Sequence, residues 1–420
     1  MLHSKRCYRF VCYQYILLLY LLAFVAGFYF ISWPSSRHAA FIRGGVLLIL
    51  IVAAVEGLLY WRQDAGRVGP ELRAWLRHAP KPGKVLAAGL VALFGYYILQ
   101  SVFYGDWESV RRVLVVAVFL SCVAFAVLWL DFDVCRLVTL ISILGLLFAL
   151  CYDINTFGSR NQALTSPFRD MASGLDWFAS YHNTIIAGLH WSLLALALIW
   201  AYTKSRLSSL RLLYLISGCV VLFAVYHTAA RTAWVATMFG IAGLFLYADH
   251  AARLRLLLLV VPSVLIAALY TLLHPEAVVR KGLTYRDDIW MEHMHKLEGG
   301  SDWIFGKGIA ALEAFVKLPG GNLAAHPHSI YIESLYSAGL VGLALFVFVL
   351  VVAFYCLLDR RIDFKGKGFI GPVMIGATVA MMVDFNGLFD APNLVWLWFW
   401  FPLAVLLAGA IKPKATGVSK

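Results

Sequence analysis

Apolar stretches about twenty residues long, the length that crosses a hydrocarbon core, recur along this chain with only short polar joints between most of them. Roughly twelve can be marked off, beginning near Val11, Ala39, Val85, Val113, Leu137, Thr184, Leu212, Ala233, Leu256, Ile330, Phe369 and Leu394. Only 14% of the 420 residues are charged, and the mean hydropathy is +0.79, which excludes a water-soluble globule of this size. The expected fold class is an all-α polytopic membrane protein of about twelve transmembrane helices.

The basic residues then set an orientation. With the N-terminus cytoplasmic, 22 of the 35 lysines and arginines fall in segments 1–10, 62–84, 136, 203–212, 249–256, 359–368 and 411–420. That bias expects both termini in the cytoplasm. The formal charge of +12 follows from it and calls for no nucleic acid as partner. The first segment starts with charge and continues apolar without a clear small-residue cleavage site, so an uncleaved anchor is expected. Seven cysteines, mostly within spans, show neither a disulfide framework nor metal-ligand spacing.

Two outer segments exceed plain connectors. Residues 153–183 carry Arg160 and Arg169 among Ser, Asn and aromatic residues, and could line a sugar groove or serve only as a polar loop. Residues 274–329 are long enough for a small domain. There the pattern predicts a helix over Arg286–Leu297, a glycine-rich turn through Gly306 and Gly308, and an amphipathic helix near Ala310–Val316. A second turn, LPGGN, leads into HPHS. The chain thus divides into 1–273 with nine spans, the outer segment 274–329, and 330–420 with three spans.

Chemistry and apolar helix meet at HPHSIYIESLYSAGLVG, residues 326–342. Ser329 is placed to cap the helix that follows, and Gly339 lies eleven residues after His328, about three turns along the same face. Gly339 and Gly342 would let a neighbouring helix approach closely. An imidazole near its ordinary pKa suits abstraction of a hydroxyl proton, which makes His328 the candidate base, with His326 as the alternative. Glu333 and Asp384 are the acids within reach, either to orient the ring or to face a wet cavity.

Arg231 stands at the outer start of a span, where a cation opposes the orientation bias unless it pairs or lines a polar cavity. Arg286 alone could be a surface salt-bridge residue. Together, two guanidinium forks on one face can hold a diphosphate without a metal.

These residues resemble a known pattern. His328, Ser329, nine residues, Gly339, two residues and Gly342 match the histidine motif of the O-antigen ligases. Arg231 after a span, Arg286 followed four residues later by Trp290, and the Gly306, Gly308 turn resemble the wider ligase and polymerase superfamily in the same order. The resemblance covers residues 226–343, and departs at Ala230, where a serine is usual.

It implies a glycosyltransferase-C-like helical fold with a large helical periplasmic loop domain, in the bacterial inner membrane with the site facing the periplasm. The implied reaction moves O-antigen glycan from undecaprenyl pyrophosphate to a sugar hydroxyl of lipid A-core, without cofactor or metal. Arg231, Arg286 and His328 would be catalytic, and Arg160, Arg169, His326 and Trp290 would contact substrate. A polymerase, a protein O-oligosaccharyltransferase and, less in keeping with polar residues gathered at one face, a polyprenyl-glycan transporter are the alternatives.

Overall fold

A computed structural model describes residues 77, 79–129, 135, 137–143, 146, 147, 150, 184–228, 230–273, 286–313, 316–317, 323–324, 326–390 and 393–412. The spans expected near Val11 and Ala39, and the loop holding Arg160 and Arg169, lie outside these residues.

Helices stand where apolar runs leave the backbone no other way to satisfy its amides. They are α1 (Lys81–Phe103), α2 (Trp107–Trp129), α3 (Thr184–Lys204), α4 (Ser208–His227), α5 (Arg231–Tyr247) and α6 (His250–Leu273). After the outer segment come α9 (Ile330–Leu358), α10 (Lys367–Val383), and a π-helical turn (Trp396–Trp400) running into α11 (Phe401–Ile411). Nine of the expected spans therefore coincide with helices, and the one near Leu137 is helical over 137–143. Among the described residues, four helices are long and apolar enough to cross a membrane. A helical membrane protein accounts for this composition and length.

One helix sits inside the others. α3 packs against α4, α5, α6 and α10, and its apolar window is 83% buried, against 33% to 44% in the other three long apolar helices. α5 and α10 share the most extensive contact. A side chain at Gly376 would come within 2.7 Å of the Ala236 carbonyl oxygen, so the bare glycine is what lets the two backbones meet.

Among the described residues of 274–329 the chain is helical with one small exception. α7 (Arg286–His295) and the short α8 (Gly300–Phe305) lead through Gly306 and Gly308 to a 3-10 turn over Ile309–Glu313. The amphipathic helix expected near Ala310–Val316 is thus cut to one turn. Its end instead enters a two-residue antiparallel ladder, β1 (Val316–Lys317) with β2 (Leu323–Ala324), flanking the predicted LPGGN turn. Val316 is β-branched and that turn favours a reversal, so a hairpin wins over continued helix. α7 ends two residues earlier than expected, in ordinary fraying distance.

α9 departs from expectation in a way that matters. Gly339 has φ +65° and ψ −168°, which breaks the helix there, so His328 and Gly339 do not share one continuous face. The break frees carbonyls that apolar surroundings cannot solvate. The turn at Lys307 and Gly308, and α1, satisfy them. Lys307 N donates to Tyr336 O (2.9 Å) and Gly308 N to Ser337 O (2.8 Å). From α1, the Gln100 amide donates to Ser337 O (2.7 Å) and the Tyr96 hydroxyl to Ala338 O (2.8 Å). A Cβ on Gly339 would sit 2.3 Å from Ile304 O, so what approaches this glycine is the α8 backbone, not a spanning helix. At Gly342 the expected helix does approach, with the Tyr96 ring of α1 at 3.3 Å from a would-be Cβ.

Gly339→Ala should therefore combine a strained positive φ with a backbone clash, destabilising by at least about 2 kcal/mol. Thermal unfolding in detergent would read this as a midpoint several degrees lower; an unchanged midpoint would show that the break is not required.

Candidate active site

The helix of the histidine motif begins as its sequence indicates. The Ser329 side chain accepts from Ile332 N, and residue 329 is extended, which turns the chain from loop to helix. Just before it, His328 has φ +53°, the one non-glycine with positive φ among the described residues. Such strain persists only where surroundings enforce it. Here the Trp290 indole N–H of α7 donates to Pro327 O (2.9 Å), and the His326 and His328 rings lie 4.5 Å apart. The loop is thus pinned at Pro327, with both imidazoles half-buried.

Asp384 gathers the arginines. It caps the C-terminal end of α10 and is buried, with one oxygen ion-paired to Arg286, the first residue of α7. The other oxygen accepts from the hydroxyl of Thr232, next to Arg231 at the start of α5. Arg231 is exposed and close enough for its charge to act on Asp384, and Arg286 acts likewise on His328. Arg231, Arg286, His328, His326 and Trp290 therefore come together at one end of the helices, from three separate stretches of chain. Arg160 and Arg169 are outside the described residues.

The position of Arg231 depends on the tight turn before it. Ala230 N donates to Thr228 Oγ1 (3.3 Å), and both residues are buried against α3 at Gly188, where a Cβ would meet Thr228 Oγ1 at 2.7 Å. Alanine at 230 fills a buried place and leaves the arginine's charge where it is.

Glu333 does neither thing expected of it. Its carboxylate is buried and accepts from Gly387 N (2.7 Å) and Leu388 N (2.8 Å), clamping the loop that follows Asp384. The same loop is held by Asn393 Nδ2 to Asn386 O and Gly387 O (both 3.0 Å), by Trp400 Nε1 to Leu388 O (2.9 Å), and by Trp396 Nε1 to Asp390 O (3.2 Å).

Two residues near the site were not singled out from sequence. Burial lowers the His326 pKa and the nearby Asp390 offsets part of that, and Arg112 of α2 lies 3.4 Å from Asp390. The sequence clue was their place, charged residues beside the ends of apolar runs.

Electrostatics separates the roles. Burial, then the neighbouring His326 and Arg286, push His328 down from 6.5 to about 4, so its ring is neutral at pH 7 and able to accept a proton. Burial pushes Asp384 up from 3.8 to about 6, against the pull of Arg286 and Arg231. A carboxylate whose burial outweighs two cations costs stability when ionised. No group of three or more His, Cys, Asp or Glu side chains with metal-site geometry occurs among the described residues.

The arrangement is of a defined class: helices of membrane-spanning character carrying, at one end, two guanidiniums around a buried carboxylate and a neutral histidine beside them. No protein-family model matches the chain. Over 240 residues it is 26% identical to a protein of Pseudomonas aeruginosa named O-antigen ligase. The match covers 55% of this chain and 55% of that protein, so the chain matches just over half the length of this relative.

Asp384→Asn keeps the shape and removes the ionisation. Because the folded pKa is raised, wild type gains stability over this variant at pH near 4 and loses that gain as pH rises through about 6. Near pH 7.5 the variant should be at least as stable as wild type. Thermal midpoints of the two across pH 4 to 8 check this; curves that stay parallel would contradict it.

Proposed function

We propose that the protein is an O-antigen ligase: an inverting, metal-independent glycosyltransferase moving O-antigen glycan from undecaprenyl pyrophosphate to a sugar hydroxyl of lipid A-core. The observation that carries this reading is the convergence of Arg231 and Arg286 on Asp384, with His328 close enough to Arg286 to feel its charge. The partial likeness to a named O-antigen ligase supports it. In this reading about twelve spans cross the bacterial inner membrane, with both termini cytoplasmic, and the segment 274–329 and the loop 153–183 in the periplasm. The basic bias of the short loops favours that orientation.

Each residue then has a task. Polyprenyl pyrophosphate leaves readily and needs charge stabilisation more than protonation, which two guanidiniums supply bidentately. Asp384 holds the Arg286 fork in place before donor arrives, and Trp290 holds the histidine loop. His328 takes the proton of the acceptor hydroxyl as that oxygen attacks the anomeric carbon opposite the pyrophosphate. The C–O bond to phosphate breaks as the new glycosidic bond forms, with inversion, and the pyrophosphate departs with the electron pair. A histidine near 4 is a weak base in the free protein. The donor's negative charges offset Arg286 and raise its basicity when it is needed.

His328→Ala should lower single-turnover transfer by the roughly 10²–10⁴-fold typical of a lost general base. Purified protein, lipid-linked glycan and lipid A-core in detergent suffice for the assay, and a wild-type rate would overturn the base assignment. With wild type, the acid limb of kcat should lie at higher pH than that of kcat/KM, since bound diphosphate raises the His328 pKa. Coincident limbs would contradict the donor's part in activating the base.

A further inference from the structure

At the far end of the same helices lies a cavity that the glycan-transfer reading does not use. α5 runs from Arg231 to Tyr247 and α10 from Lys367 to Val383, so about 25 Å of helix separates the two ends. The cavity has a volume of about 630 Å³ and opens between the ends of α3, α4, α5 and α10. Trp200, Tyr214 and Tyr247 form aromatic walls, and Lys204 and Lys367 line it with Asp363 as the one acid.

Three features ask for an anionic occupant. Trp200 is 94% buried, yet its indole N–H has no acceptor among the described residues. A buried donor left so costs about 1–3 kcal/mol, which an incoming oxygen would recover. That N–H faces the bare Gly368, where a Cβ would lie 3.6 Å away. Gly368 belongs to the first turn of α10, whose N-terminal end carries the positive side of the helix dipole. Lys204 is exposed at the rim and free to swing, while the Lys367 ammonium is fixed on Asp359 O (2.8 Å) and Ile362 O (2.5 Å). Asp363 is exposed and its charge is screened by water.

The apolar side of the cavity distinguishes a lipid from a soluble anion. Leu210 lines the cavity and is 39% exposed, and Leu213, one turn on, is 46% exposed, so the opening continues onto apolar outer surface of α4. Aromatic rings with basic residues at the end of membrane-spanning helices also mark headgroup depth.

We infer that this cavity binds the phosphate headgroup of an anionic phospholipid, with Trp200 Nε1–H and Lys204 donating to phosphate oxygens and an acyl chain lying along Leu210 and Leu213. The site is independent of the reaction at the other end.

Delipidated full-length protein in detergent, titrated with phosphatidylglycerol and followed by native mass spectrometry, tests it. One phosphatidylglycerol should be retained per chain. Trp200→Phe, which keeps the ring and removes the donor, should weaken retention about tenfold or more. Gly368→Leu, which fills the space beside the indole nitrogen, should abolish it. Arg361→Gln, at an exposed residue of the same end, should leave it unchanged. Phosphatidylcholine should bind more weakly, and millimolar inorganic phosphate should not displace the lipid. Retention unaltered in both cavity variants, equal binding of phosphatidylcholine, or displacement by free phosphate would each overturn the proposal.

Discussion

A carboxylate taken out of water beside two guanidiniums is the constraint on which the site depends. Asp384 cannot be buried alone, so Arg286 must reach it from a segment 98 residues away, and Thr232 must present its hydroxyl from the start of α5. Meeting that demand brings Arg286 at the start of α7 and Thr232 at the start of α5 to one carboxylate, with Arg231 close enough for its charge to act there. The pair is expensive to keep, since burial wins over both cations at Asp384. Such a balance suits a clamp: the arginines are held in position, but not so tightly that a diphosphate could not take over part of their hydrogen bonding.

The second constraint is the break in α9. A helix interrupted among apolar neighbours leaves carbonyls that only protein donors can satisfy, and those donors come from the Gly306 to Gly308 turn and from α1. The segment 286–313 is thereby tied to the helix that carries His328 at its mouth. One hydrogen-bonded junction serves both stability and placement, because α8, docked at Gly339, is joined through a short turn to α7, which supplies Arg286 and Trp290.

Much of this was legible in residue order. Apolar runs located the helices, since nothing else in this composition could occupy a membrane, and Ser329 marked the start of α9 through its capping chemistry. Three of the site residues stood out because charge at the end of an apolar run needs a reason. What was hidden was pairing over distance. Nothing local in MMVDFNG says that Asp384 meets Arg286, nor in DWESVRR that Arg112 meets Asp390. Gly339 shows a further limit: small size, visible in sequence, permits both close helix packing and positive φ, and only the docking of α8 selects the second. Glu333 was misjudged for the same reason, because its backbone partners at Gly387 and Leu388 are more than fifty residues away.

The proposed division of labour gives the arginines to the donor's diphosphate and the histidine to the acceptor's hydroxyl. Equilibrium binding of undecaprenyl pyrophosphate to purified protein tests that division most directly, with Arg286→Lys, Arg231→Lys and His328→Ala beside wild type. Each lysine keeps the charge but loses the bidentate fork, so both arginine variants should bind at least about tenfold more weakly, while His328→Ala binds as wild type does. Donor affinity that falls with the histidine and survives in both arginine variants would contradict the account.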